Sequence, residues 1–550
     1  MKSNKKILCL LAVLVMLFAL GAVSATEDIS DVAAGDDIAA DSEIGISQDY
    51  AVEASETYVV TNQTFGNYFT ASGELNDNVS EGSTLDFQGT FTGEEYMVNI
   101  TKPVNIISST EDAIFNEIGK KDATGGCFHI SSGGSGTNVS DIKFINSAFY
   151  VTGASDVMID NINMMADMSG VGSGTGFMCV QAGSRYVTVK NSYFENRGTG
   201  SSIVVIGYSD YCTVDSNEVV INGSSGNAVY ITSYVPSKYE GTAPTGNVIS
   251  NNYIHGEASG FCMALVVAGN NNLIDGNVIE YNGATGIGGQ SFSTQANNTY
   301  TDNVLTGGCS FTAGEDSYVS GNSVEGTMSA GSNSYLEDNE IDALALSKPN
   351  VIVDGNIIGE NGVTLDSAAL NTTLTNNIIS SPVTVKSKNN TIQENIIVAN
   401  SDYAIDLTTS TGNYVSFNKL ISNNFTGDAA VNAGEGNYVQ DNDAMNNIVT
   451  KDNFFDFFDT DGNYKNLDFT ELYFMGEFDH LVDTITINKT LFITGLDATL
   501  HNMAFVLLAD GIRLGDLEMN FDQAPVLSNG SAILISAVNN VIVNVNVDYV

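Results

Sequence analysis

Positive charge is what this chain has least of. Its 550 residues carry 19 Lys and Arg against 65 Asp and Glu, a formal net charge of −46 at pH 7. A surface of that sign repels nucleic acid, anionic lipid and acidic polysaccharide, and it favours solubility and a loose association of cations, surface calcium included. Charged residues are still only 15% of the chain and hydrophobic ones 43%, so material for a core is ample and wholesale disorder is excluded. Cysteine is scarce as well. Cys9 lies in the N-terminal apolar run, and Cys127, Cys179, Cys212, Cys262 and Cys309 are an odd, widely spaced set. That is no disulfide framework, and they read as small core residues.

Long apolar runs are also lacking, with one exception. Lys2, Lys5 and Lys6 precede an apolar stretch from Ile7 to Ala22, and Val23-Ser24-Ala25 supplies small residues before Thr26. This order reads as a secretory signal peptide over residues 1–25, which places the rest outside the cytoplasm. No other stretch is apolar enough to span a bilayer, so no membrane span is expected in the mature chain. Residues 26–57 are acidic and low in complexity, a solvated leader.

What fills the remainder is a repeat. An apolar residue, two polar or small ones, Asn, a spacer and another apolar residue recur, as in Val214-Asp215-Ser216-Asn217-Glu218-Val219 and Ile274-Asp275-Gly276-Asn277-Val278-Ile279. The phrase returns around Asn252, Asn303, Asn322, Asn339, Asn356, Asn377, Asn395, Asn418 and Asn442, at intervals of 17 to 35 residues. Apolar positions alternate with polar ones, as a half-buried strand requires, and Gly, Ser, Asn and Asp fill the corners. One such unit cannot bury its own apolar face, so units must stack. Stacking sets each Asn above the last, where amides can hydrogen-bond along the axis. Leucine is too sparse for leucine-rich repeats, and the variable interval excludes a six-residue left-handed metre. The fold class is therefore expected to be all-β, a right-handed single-stranded parallel β-helix with an Asn ladder and variable loops. Weaker copies at Val189–Phe194, Ile159–Met164 and Ile142–Ser147 extend the series towards the N-terminus, and about fourteen turns at about 4.8 Å each give a rod of roughly 65 Å.

A longer duplication overlies the repeat. Phe65, Phe69 and Gly73 are paralleled by Phe454, Phe458 and Gly462, and Ile100-Thr101-Lys102 by Ile487-Asn488-Lys489. Residues 58–446 read as a complete module and 447–550 as the start of a second. Each module opens on Phe-x-x-x-Phe, a segment suited to covering the end of a stack. The last residues read as a strand in mid-rung, so the chain is expected to be cut short relative to a longer parent.

A signal peptide, an acidic leader, the Phe-x-x-x-Phe module start, Ile100-Thr101-Lys102-Pro103-Val104-Asn105-Ile106 and the Asn-centred rungs together resemble the adhesin-like β-helix surface proteins of methanogenic archaea. The resemblance implies a secreted, cell-surface glycoprotein. Its role would be that of a binding or structural rod in contact with glycans or proteins of other cells.

The same fold often carries polysaccharide lyases and glycoside hydrolases, and that is the alternative. A lyase needs a base with cations to neutralise substrate carboxylate, and a hydrolase needs two converging carboxylates. Beyond the signal there are three arginines, Arg185, Arg197 and Arg513, without a cluster, and His129, His255, His480 and His501 stand alone. Asp215, Asp275 and Asp354 read as turn formers. Asp459-Thr460-Asp461-Gly462-Asn463 lacks the ligand spacing of an EF-hand and reads as a turn. The expectation is no enzyme, no catalytic residue, no cofactor and no metal site. The candidate ligand loop is the long insertion holding Tyr234, Lys238 and Tyr239. Candidate N-glycosylation sites are Asn62, Asn78, Asn99, Asn138, Asn222, Asn297, Asn371, Asn389, Asn424, Asn488 and Asn529, each in Asn-x-Ser/Thr.

Overall fold

The computed structural model describes residues 56–549 apart from 118–127, 168–175, 198–201, 233–242, 284, 290–294, 445, 523–526 and 528–529. Within that span the repeat is easiest to follow where it is shortest. Val319, Leu336 and Val353 are fully buried and lie in parallel register, 17 residues apart. Val324, Ile341 and Ile358 do the same one bend later. Between each pair of inward residues sits the bend, whose Asn points in. Each rung thus buries two or three apolar side chains that alone would face water, and parallel stacking makes one continuous core from Val60 to Val431.

The rungs build a 17-stranded and a 26-stranded parallel sheet. The fold is a right-handed parallel β-helix. Among the described residues, seventeen strands mean seventeen rungs rather than fourteen, because Thr57–Val60, Thr84–Phe87 and other early strands stack without an Asn to mark them. At about 4.8 Å per rung the stack is roughly 75 Å long.

The ladder runs unbroken from Asn217 to Asn442, all eleven asparagines buried. Asn339 is typical. Its Oδ1 accepts from Asn322 N (3.0 Å) and Asn322 Nδ2 (2.9 Å), and its own Nδ2 donates to Asn356 Oδ1 (2.8 Å) and Val319 O (3.0 Å). Every polar atom of the amide is satisfied, as burial demands. A second ladder occupies the opposite corner, with Asn247–Asn272–Asn298 and Asn390–Asn413–Asn437 linked Nδ2 to Oδ1 at 2.9–3.1 Å.

A new stack begins after Asp443-Ala444. Five-stranded and three-stranded sheets follow, around a separate core from Val449 to Ala532. Both stacks open alike. Phe65 stacks on Phe69 at 4.5 Å and Phe454 on Phe458 at 4.6 Å. Gly73 and Gly462 both have positive φ, with a carbonyl where a Cβ would stand. Lys102 Nζ and Lys489 Nζ each donate to a backbone carbonyl, Asn76 O and Leu467 O. The second stack lies against the side of the first, where Ile448, Tyr473, Met475 and Leu496 pack on Ile378, Ile396, Val398 and Ile421. The Lys419 ammonium lies 5.1 Å from the Tyr473 ring centre.

Candidate functional site

The outer face of the 26-stranded sheet carries an unusual group over four consecutive rungs. The register places Tyr193, Glu218, Tyr253 and Val278 in one column, and Glu195, Val220, His255 and Glu280 in the next. Strand alternation turns these residues outward while Phe194, Val219, Ile254 and Ile279 fill the core. Residues 87 positions apart in sequence therefore share one surface.

Their side chains are joined. Glu218 Oε1 lies 3.0 Å from His255 Nε2, and Tyr253 OH donates to Glu280 Oε2 at 2.8 Å. The rings of Tyr253 and His255 stack at 4.4 Å. Glu218 and Glu280 thus reach from opposite sides toward the strand between them. One rung up, Arg197 Nη2 donates to Glu195 Oε2 at 2.7 Å, and Tyr193 OH is 3.3 Å from the same oxygen.

Protonation states follow from these contacts. The Arg197 hydrogen bond and charge hold Glu195 below the usual carboxylate range. Burial, then the bond to Glu280, raises the Tyr253 phenol, and burial followed by the charge of Glu195 raises Tyr193. Both phenols stay protonated and donate. The surface can therefore accept hydrogen bonds at three carboxylates, donate at one guanidinium and offer tyrosine and imidazole faces. A polyol chain uses that combination.

Two sequence expectations are corrected here. His255 does not stand alone but is paired with Glu218, and His480 Nε2 lies 2.6 Å from Asp483 Oδ1. Asp215, Asp275 and Asp354 sit at strand ends rather than in turns, and accept across rungs from Ser250 Oγ (2.6 Å), Thr301 Oγ1 (2.5 Å) and Thr375 Oγ1 (2.9 Å).

Tyr234, Lys238 and Tyr239 lie outside the described residues, as do Asn529 and the side chain of Asn222. Asn62, Asn78, Asn138, Asn297, Asn371, Asn389, Asn424 and Asn488 are exposed. Asn99 is half-buried, and its Oδ1 is buried without a hydrogen-bond partner. Cys179, Cys212 and Cys309 are buried, and burial pushes the Cys212 thiol up to about 12 and Cys309 to about 11. Such thiols are poor nucleophiles and poor ligands. Asp459 Oδ1 accepts from the backbone N–H groups of Asp461 (3.0 Å) and Asn463 (2.8 Å), which closes a turn. Among the described residues no group of three or more His, Cys, Asp or Glu is placed to hold a metal ion, and no helix is long and apolar enough to cross a membrane.

This geometry defines a protein of the right-handed parallel β-helix class. The family model for a right-handed beta helix region matches residues 175–344, the segment that contains the outer-face group. No curated protein sequence matches the chain. Among solved structures it is similar to the catalytic domain of a GH87 α-1,3-glucanase in complex with nigerose, at 16% identity and TM-score 0.29, over 71% of this chain and 67% of that one. It is similar to the pre-mature gene product 12 of bacteriophage phi29 at 11% identity and TM-score 0.35, over 89% and 73%. It also resembles DFA-IIIase from Arthrobacter chlorophenolicus A6 in complex with DFA-III, at 12% identity and TM-score 0.27, over 69% and 93%. Likenesses at this level bear on the fold alone. A catalytic domain stands among those structures, and the expectation that the chain is no enzyme is corrected on its own geometry, because the register brings Glu218, His255 and Glu280 onto one face. That expectation rested on residues seeming isolated in sequence, which rung stacking brings together.

Proposed function

We propose that this protein is an exported, adhesin-like surface rod that engages a glycan chain along the outer face built by Tyr193, Glu195, Glu218, Tyr253, His255 and Glu280. One observation carries the reading: aromatic faces, carboxylates and an Arg converge on four adjacent rungs, while beyond them the Tyr193 column continues as Val304 and Ser323. A sugar polymer laid along the axis meets one rung about every 4.8 Å, about the length of one sugar unit. The acidic surface favours a neutral or basic glycan over an acidic one. The leader, the module start and the likeness to adhesin-like proteins of methanogenic archaea support a location on the cell surface. The test is a glycan array probed with the chain lacking residues 1–25. Binding of neutral or amino glycans supports the reading, and an empty array contradicts it.

A second reading has its own observation. Glu218 and Glu280 flank Tyr253 and His255 from strands two rungs apart, so their backbones are separated by about 10 Å along the axis. Inverting glycoside hydrolases hold two carboxylates about 6.5–9.5 Å apart with a water between. Hydrolysis of the bound glycan would show as new reducing ends, lost in Glu218→Gln or Glu280→Gln with binding retained.

A further inference from the structure

We propose that the corner carrying Tyr186 and Tyr211 is a separate carbohydrate site, a two-ring shelf for a neutral sugar residue. From Gly136 to Gly436, the residue two places before each strand of the 17-stranded sheet has a positive φ. It is Gly, Asn or Asp at every rung except two, where it is Tyr186 (φ 54°) and Tyr211 (φ 55°). The left-handed region disfavours a bulky side chain, so the corner selects against the two residues it holds there. A strained position kept in successive rungs points to a role outside folding.

The two rings make one object. They stack at 5.6 Å with planes 17° apart, and they are 55% and 47% exposed. Tyr211 occupies space that the next rung vacates: a Cβ on Gly246 would come within 2.6 Å of the ring. Beside the rings, Arg185 Nη2 is 3.2 Å from Asp210 Oδ2, and Asp210 Oδ1 accepts from Thr245 N–H at 3.1 Å. The guanidinium carbon lies 6.0 Å from the Tyr211 ring centre.

These neighbours select the occupant. Arg185 beside the rings disfavours a cation, and a net charge of −46 disfavours an anion. What remains is a neutral ring with one apolar face and several hydroxyls. Its C–H face covers tyrosine, while its hydroxyls donate to Asp210 and accept from Arg185. A proline-rich peptide could stack on tyrosine but has no hydroxyls for the ion pair. The shelf is distinct from the outer face, because the strands Thr188–Lys190 and Thr213–Asp215 intervene between them in each rung. It stands whether or not the outer face binds glycan.

The experiment places the corner's usual residue back. Saturation-transfer NMR is run with cellohexaose, mannohexaose and N-acetylchitohexaose, and with a proline-rich decapeptide, on the chain carrying Tyr253→Val to silence the outer face. At least one hexasaccharide is expected to bind, and adding Tyr186→Asn and Tyr211→Asn should weaken it at least tenfold while the melting temperature holds or rises. The proposal is overturned if no hexasaccharide binds, if binding survives the double change, if only the peptide binds, or if the melting temperature falls with affinity, since that marks a structural role.

Discussion

Asp428 Oδ1 accepts two hydrogen bonds from Asn442, at 3.0 Å from its backbone nitrogen and 2.7 Å from Nδ2. Each ladder Asn gives the same two bonds to the Asn of the following rung, as Asn418 does to Asn442 at 3.1 and 2.8 Å. The last rung has no following Asn. A carboxylate, with acceptors only, ends the series without needing a partner for donors of its own. Asp428 reaches this place from the short 3-10 helix Gly427–Ala430, which folds over the end of the ladder. Replacing Asp428 by Ala strands both donors and should cost about 1–3 kcal/mol. Asp428→Asn keeps an acceptor and should cost less. Amide hydrogen exchange of Asn442 measures it: faster exchange in the Ala variant than in the Asn variant is expected.

Within the ladder, Asn356→Asp removes the donors to Leu336 O and Asn377 Oδ1 and buries a charge. It should destabilise by at least about 2 kcal/mol. Asn282 is exposed, and Asn282→Asp should change little. Chemical denaturation of the two variants decides it, and equal midpoints would refute the ladder as a stabilising element.

The first ladder was legible because its phrase includes two apolar residues at fixed offsets from Asn. The second was not. Its signal is a shorter Gly-Asn or Asn-Asn pair ahead of a strand, as at Gly246-Asn247, Asn271-Asn272 and Gly412-Asn413, and Ser317, Ser334 and Thr372 interrupt it. Rungs before Asn217 lack the amide and were undercounted. The outer-face group was invisible for a different reason. Glu218, His255 and Glu280 occupy outward strand positions that any polar residue can fill, and only the register of variable-length rungs decides which of them meet.

Burial lowers the affinity of His129 for a proton below its ordinary value. With the folded value depressed, the unfolded chain binds the proton more readily once pH falls below about 6.5. Stability attributable to His129 is therefore full above that pH and is lost as pH falls through the range below it. Melting temperatures at pH 7.5 and 5.5 should differ more for the wild type than for His129→Gln. An identical pH response would show that His129 contributes none of it.

The buried thiols give a chemical check on packing. Cys212 and Cys309 should resist iodoacetamide at pH 8 in the folded state and react fully in denaturant, because both titrate far above that pH. Rapid modification without denaturant would mean that the core opens.

The claim on which the functional account depends is that Tyr253 and its neighbours form a glycan surface. The later rungs of the same column hold Val278 and Val304, so Tyr253→Val gives this position the side chain its neighbours already use. Calorimetric titration of the strongest glycan-array hit into wild type and Tyr253→Val is the most direct measurement. The account predicts at least a tenfold loss of affinity with an unchanged melting temperature. Equal affinity in the two proteins would contradict it.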